Sequence, residues 1–390
     1  MTTNDNYFYI PQLEKRKRKA TRFKWIAASS LIISIGFLAI FLMDMVGKGY
    51  QAFTQTYVKV PVNITAKTVE FTHLAVDRRK VGFIVSRAWL RGLPSYVKEN
   101  PTWMNTHEER WVLADDNVDQ YVKGKYNKLK EKQVQLIDEL LANGKIEKRF
   151  NTIFFSKGDS KIPEFSGFLA SMIGSILTML VTMAIAVPIG VMTAIYLEEF
   201  AKDNRWTQLI EVNINNLAAI PSILFGMLGL AVFINFFGIP RSTPIAGGIT
   251  LALMSLPVII VSSKAALKSV PDSIRQAGFG LGLTKWQIVR DHVLPLAMPG
   301  MLTGSIIALA QAMGETAPLI MVGMIAFIPD ASTSFMDAAT VMPAQIFTWA
   351  GMPERAYIER TAAGILVLLT ILLSLNAIAI YLRKKYTRTW

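Results

Sequence analysis

Polar groups interrupt otherwise apolar runs at two places where polarity costs free energy. In AQAMGETAPLI, Gln311 and Glu315 stand four residues apart, a spacing that puts two side chains on one face of a helix. An ionisable group at membrane depth costs about 2.5–3.5 kcal/mol on insertion scales, so it implies a polar path, a subunit interface or a buried ion pair. A carboxylate repels anions. Glu315 is therefore expected to pair with a cation on a partner helix or to act in gating, or else to fix helix register as a buried hydrogen-bonded group. In LPVIIVSSKAALKSVP, Ser262, Ser263 and Lys264 offer two hydroxyls and a cation, chemistry suited to an oxyanion on its way out of the membrane. A snorkelling Lys264 that merely marks the end of a helix is the simpler reading. Asn216, with Asn213, Asn215 and Ser222, supplies amides and a hydroxyl that line a path or join helices.

Enzyme chemistry is missing. The chain has no G-x-x-x-x-G-K-[ST], H-E-x-x-H or G-x-S-x-G pattern, and His73, His107 and His292 are far apart. It has no cysteine, which removes disulfides, thiolate nucleophiles and Cys-ligated metals. GFGLGL at 278–283 has the wrong glycine spacing for a dinucleotide loop. No metal, cofactor or catalytic residue is expected, and any ATP hydrolysis must come from another subunit.

The elements that would hold these groups are membrane spans. Of 390 residues, 52% are hydrophobic, and the mean hydropathy is +0.35, values of an integral membrane protein. About 20 apolar residues cross a bilayer as helix. Six stretches qualify, about 25–46, 168–197, 209–237, 245–267, 298–328 and 361–382, and Pro188, Pro221, Pro257 and Pro318 predict kinks. The net charge of +13 is concentrated beside them. The tail 1–24 carries KRKRKATRFK, read as an orientation and anionic-lipid signal, not a nucleic-acid site or a cleaved leader. A second cationic tail follows residue 382. Both termini are expected in the cytoplasm, and the linker holding Lys268, Arg275, Lys285 and Arg290 is expected there too.

Residues 47–166 are too many for a linker and predict a folded α/β insertion on the outer side, with strand pattern over 59–71 and helix pattern over 117–144. Residues 167–385 then form a five-helix core, and 386–390 close the chain. Small residues in SGFLASMIGS, namely Gly167, Ala170, Ser171 and Gly174, suit close helix packing.

One linker is long, amphipathic and marked by glycine. In VPDSIRQAGFGLGLTKWQIVRDHVLPLAMPG, Asp272 or Ser273 can cap a short helix, Ala277 and Gly278 admit a close neighbour, and Gly282 permits a positive-φ turn into a second helix. A rigid helix-turn-helix of this kind suits the groove of a partner protein; the plainer alternative is a helix lying among headgroups. The stretch resembles the cytoplasmic coupling motif of ABC importer permeases, E-A-A-x3-G-x9-I-x-L-P. Gln276, Ala277 and Gly278 stand at E-A-A, Gly282 at the motif glycine, His292 at the isoleucine, and Leu294 and Pro295 close it. Arg275 lies just before.

GETAP, LEEF, AAIPSILFG and LPVIIVSSKAALKSVP narrow the likeness, over residues 168–385, to the permease subunits of bacterial phosphate ABC importers, the PstA-like members of the Pst system. That resemblance implies an all-α permease of six transmembrane helices in the bacterial inner membrane. It also implies a PstC-like second permease, a dimer of a PstB-like ATPase and a PstS-like periplasmic phosphate-binding protein. Where some relatives carry arginine and glutamate, this chain has Val261, Lys264 and Gln311. The alternatives are a permease for molybdate, sulfate or an amino acid, and a membrane sensor.

Overall fold

Apolar length fixes the architecture before packing does. The computed structural model describes residues 11–77, 81–125, 128–325 and 327–386, so the outermost parts of both tails, 1–10 and 387–390, lie outside the described residues. α1 (Pro11–Gly49) runs 39 residues as one helix. At about 1.5 Å per residue that exceeds a hydrocarbon core of about 30 Å, so its basic first turns stand beyond the apolar layer. None of its most apolar window is buried by the rest of the chain.

The expected α/β insertion follows. β1 (Thr54–Ile64) is the centre of a three-stranded antiparallel sheet, ordered β2-β1-β3. Helices α2 (Ala66–Glu70) and α3 (Arg87–Glu99) precede β2 (Thr106–Leu113), while α4 (Asp116–Val122) and α5 (Glu131–Ala142) precede β3 (Ile146–Phe150). Tyr57 pairs with Leu113 and Val58 with Ile146. Val58, Val60, Val62 and Ile64 point inward with the period of two that a strand imposes, and pack with Leu93 and Val97 of α3, Val118 of α4 and Ile137 of α5. Two sequence expectations are corrected here. The strand ends at Ile64 because Thr65 caps α2, its hydroxyl accepting the Thr68 N–H. The helix expected over 117–144 divides at Gly124, whose φ of 73° is left-handed, and it ends before Gly144 at 65°.

α6 (Thr152–Ser156) leads into the bundle of α7 (Leu169–Ile195), α8 (Arg205–Leu217), α9 (Ser222–Leu228) and α10 (Pro244–Lys268). It continues through α11 (Asp272–Gly280), α12 (Lys285–Ile288), α13 (Leu294–Gly314), α14 (Ala317–Met321), α15 (Met342–Ala350) and α16 (Ala356–Tyr386). Among the described residues, five helical runs are long and apolar enough to cross a membrane, and a sixth crossing exists if α8 and the run Ser222–Phe236 count as one span bent by 106°. The span expected over 209–237 is thus broken, because Pro221 lacks an N–H and disfavours helix at the residue before it. The span expected over 298–328 is displaced: its helix runs from Lys285 to Gly314. Pro318 cannot donate to the Gly314 carbonyl, and the chain restarts as the short α14.

Small residues bring the central helices together. Gly190 of α7 faces Ile259 of α10, Gly248 of α10 faces Val181, and Gly304 of α13 faces Ser262. The Thr182 hydroxyl lies 3.1 Å from the Gly248 carbonyl. Gly174 abuts the Thr340 carbonyl, and Ala170 and Ser171 are buried, in line with the structural role read from their sizes. The insertion is fastened to α16 by buried charge: Lys123 Nζ lies 2.7 Å from both Asp119 and Glu359, and Gln120 donates to Glu359 at 2.9 Å.

Candidate functional site

At the end of the bundle remote from the insertion, the linker after α10 folds as the glycine pattern implies. α11 ends, Gly282 takes φ 78°, and Thr284 caps α12 in a reciprocal box with Gln287. The cap expected for α11 is absent: Pro271 holds that position without a side-chain bond, and Asp272 is the first helical residue, where its charge suits the helix dipole. Gly278 is buried against Ile288, with 2.6 Å between the site of a Cβ and Ile288 Cγ1. The close approach it permits is therefore internal, between the two short helices. Gln276 and Ala277 remain exposed, as do Phe279 (55%) and Leu281 (80%), so an apolar knob projects from this end.

Leu294 and Pro295 do not end a helix. They begin α13, which continues α12 through a π-helical turn at Val289–Val293. Pro295 has no N–H for the carbonyl four residues earlier, and the widened turn sits at that missing bond. Ile288 and Val293 pack with Leu197 of the α7 extension, Leu267 of α10 and Met301 of α13, so the linker and three spans share one core.

Arg275 fixes the arrangement. Its guanidinium donates to Glu199 at 2.6 and 3.3 Å, to the Val270 carbonyl at 2.8 Å, to the Leu267 carbonyl at 3.1 Å and to Asp272 at 3.2 Å. Glu199 is 5% exposed and sits in a π-helical turn, Tyr196–Phe200, that extends α7. A near-buried forked ion pair of this kind is directional and pins α11 to two spans at once. Beside it opens a cleft of about 570 Å³ lined by Glu198, Lys268, Phe279 and Lys285 among others.

Lys264 is likewise engaged. Its Nζ lies 2.5 Å from Glu211 of α8 and 3.9 Å from Glu198, and Lys264 and Glu211 line a cleft with Asn215. The lysine is an internal ion-pair partner here and neither a bare anion contact nor a lone snorkelling cation. Ser262 packs on Gly304 and donates to Ile259 O, while the buried Ser263 hydroxyl has no partner among the described residues. Asn216 is exposed at the end of α8; Asn215, not Asn216, lines the cleft at Lys264.

Gln311 and Glu315 are not one helical face. α13 stops at Gly314 and Glu315 is extended, with ψ 128°. Nor do they join Lys264. Ala266 faces Gly300 and Ser262 faces Gly304, which sets Lys264 level with residue 302. Glu315 lies thirteen residues further along, about 20 Å at helical rise. The residues expected on a path are therefore not gathered at one level of the bundle. Sequence reasoning missed Glu198, Glu199 and Glu211. The signal was present, since two carboxylates close one apolar run where Lys264, Lys268 and Arg275 close another, and charges at such ends need partners.

Residues 186–388 match the family described as the binding-protein-dependent transport system inner membrane component. That is more than half of the chain. The chain belongs to this family of transport-system membrane components. It is a multi-pass membrane protein, in keeping with its apolar helices. Residues 11–77 and 69–132 match a separate domain of unknown function, DUF3333, which covers α1 and much of the insertion. The chain is 32% identical over 187 residues to the probable ABC transporter permease protein YqgI of Bacillus subtilis, covering 48% of this chain and 63% of that one. It is 31% identical over 223 residues to the phosphate transport system permease protein PstA 1 of Mycobacterium tuberculosis, covering 57% and 72%. To the phosphate transport system permease protein PstA of Yersinia pestis it is 32% identical, covering 56% and 74%.

Proposed function

We propose that this chain is a permease subunit of an ATP-driven phosphate importer. It forms the translocation path with a second, PstC-like permease and is driven by a PstB-like ATPase dimer on the cytoplasmic side. A PstS-like phosphate-binding protein delivers the anion from the insertion side, and both termini are cytoplasmic. The observation that carries the reading is the Arg275 clamp on α11, in a chain whose core is similar to PstA proteins. A lever must be stiff to transmit motion, and the clamp makes Arg275, Gln276, Ala277, Gly278 and Gly282 one rigid body with the ends of α7 and α10. Phe279 and Leu281 present the apolar surface that an ATPase groove would bury. Leu294 and Pro295 pass the motion into α13 without a joint. Alternating access follows when the ATPase dimer closes and the levers of the two permeases move together.

Ser262, Ser263, Lys264, Asn216, Gln311 and Glu315 are proposed to border the path. Lys264 would meet the phosphate dianion only when Glu211 yields it, so the carboxylate acts as a displaceable counter-ion. Uptake of radiolabelled phosphate by a strain lacking this chain tests the function. Loss of phosphate uptake, restored by the intact chain, with molybdate and sulfate uptake unchanged, is the expected result. Unchanged phosphate uptake together with loss of another solute would overturn the substrate. Purified complexes that lack α11 yet still accelerate ATP hydrolysis in response to binding protein would overturn the coupling.

A further inference from the structure

The insertion carries an exposed aromatic stack that the transport reading does not use. Phe53, in the turn that ends the α1 run, stacks on Phe155 of α6 with ring centroids 5.9 Å apart and an interplanar angle of 10°. Phe155 stacks in turn on Phe150 of β3 at 5.9 Å and 2°. The outer two rings are not hidden: Phe150 is 61% and Phe155 37% exposed. Two of the three parallel rings stand open while Phe53 is half-buried, so their surroundings matter.

Their height is set by two spans. Gly49 of α1 backs onto Ala362 and Ala363 of α16, which places Phe53 level with the first turn of α16. Phe53 is seven residues beyond Val46, the last residue of the apolar run, or roughly 10 Å at helical rise, which is the outer edge of a headgroup layer about 5–7 Å deep, within reach of a ring side chain. On the other side, Phe154 stacks at 5.6 Å on Phe168, the residue that caps α7. The stack therefore continues the exposed surface of α1. Cations accompany it: Lys148 shares a strand face with Phe150 by the period of two, and Lys157, whose carbonyl accepts the Leu169 N–H, leads into α7. Both lysines are exposed.

We propose that β3 and α6 form a membrane-surface contact, with Phe150 and Phe155 resting on the headgroup layer of the leaflet on the insertion side and Lys148 and Lys157 meeting headgroup phosphates. Aromatic rings and lysines are the side chains that favour this depth, and β3 is an edge strand whose open side needs a cover. The contact would hold the insertion at a fixed tilt over the bundle. It rests on the membrane placement of α1 and α7, not on the identity of the solute.

This chain has no cysteine, so with the cysteines of its co-purifying subunits replaced by serine the one introduced thiol is unique. The full chain, isolated with its co-purifying subunits in phospholipid nanodiscs, is labelled with a nitroxide at Phe155→Cys and, to spare the rings, at Ser156→Cys. Phe37→Cys in the middle of α1 and Phe71→Cys, beyond the far end of β1, serve as deep and aqueous references. The measurement is the ratio of collisions with oxygen to collisions with a water-soluble nickel chelate. Labels at 155 and 156 are expected at a ratio severalfold above that at 71 and below that at 37. A ratio equal to that at 71 would show a water-facing surface and overturn the proposal. Low collision rates with both reagents would show a protein partner on the stack and overturn it equally.

Discussion

Replacing Arg275 with methionine removes the group that pins α11, and the cost can be worked from its partners. Glu199 is 5% exposed and its carboxylate accepts hydrogen bonds from Arg275 alone among the described residues. Stranding a buried carboxylate costs about 3–5 kcal/mol. The Arg275 side chain is 17% exposed on the wall of an open cleft, so water can enter where it stood, and a value of about 3 kcal/mol or somewhat less is expected. Arg275→Met with Glu199→Met strands no charge and should recover most of the loss, because apolar replacement of a buried pair is often nearly neutral. The assay is a double-mutant cycle on thermal unfolding of the purified complex, with coupling energy of about 2–3 kcal/mol expected between the two sites. In parallel, Arg275→Met should leave ATP hydrolysis running while solute uptake collapses. A coupling within about 0.5 kcal/mol of zero would mean that the pair does not hold the lever. Normal uptake in Arg275→Met would refute the rigid-lever argument itself.

Gly278→Val forces new methyl groups into Ile288, which is buried and cannot swing away; overpacking of about 1–3 kcal/mol should lower both complex stability and ATPase co-purification, while the exposed Gln276→Ala changes stability by less than about 0.5 kcal/mol. Lys123→Met leaves Glu359 and Asp119 buried with fewer cations, and local opening of the junction, read by hydrogen exchange at residues 116–122, should rise by the equivalent of about 3–5 kcal/mol; exchange unchanged from the parent would contradict the buried-ion account. Glu164, whose carbonyl accepts from Gln55 and whose carboxylate accepts from Ser86, is pushed up to about 7 by burial. Its folded-state pKa lies above the unfolded value, so its contribution is fully present below pH of about 4.5 and is lost as pH rises to about 7. The insertion should therefore resist proteolysis better at pH 5 than at pH 8, by up to about 3 kcal/mol, and Glu164→Gln should flatten that slope; a slope unchanged by Glu164→Gln would assign it elsewhere, with Asp116, also raised to about 7, the next group to replace.

The sequence alone determined what local chemistry dictates. Apolar length set the spans, because a helix must satisfy its own backbone in lipid; residues 47–166 declared a folded insertion by their polarity and alternation; Gly282 announced a left-handed turn that the backbone indeed makes. What it could not determine depended on contacts between distant segments or on a broken periodicity. The bend before Ser222 and the stop at Gly314 come from single prolines inside runs that remain apolar on average, and hydropathy averages pass over them. Gly278 packs on Ile288, a contact made by the fold of the linker upon itself. The ion-pair partners of Lys264 and Arg275 were decided by tertiary structure alone. Each cation has its carboxylate 53 or 76 residues away, and only helix packing brings Glu211 and Glu199 within hydrogen-bond range.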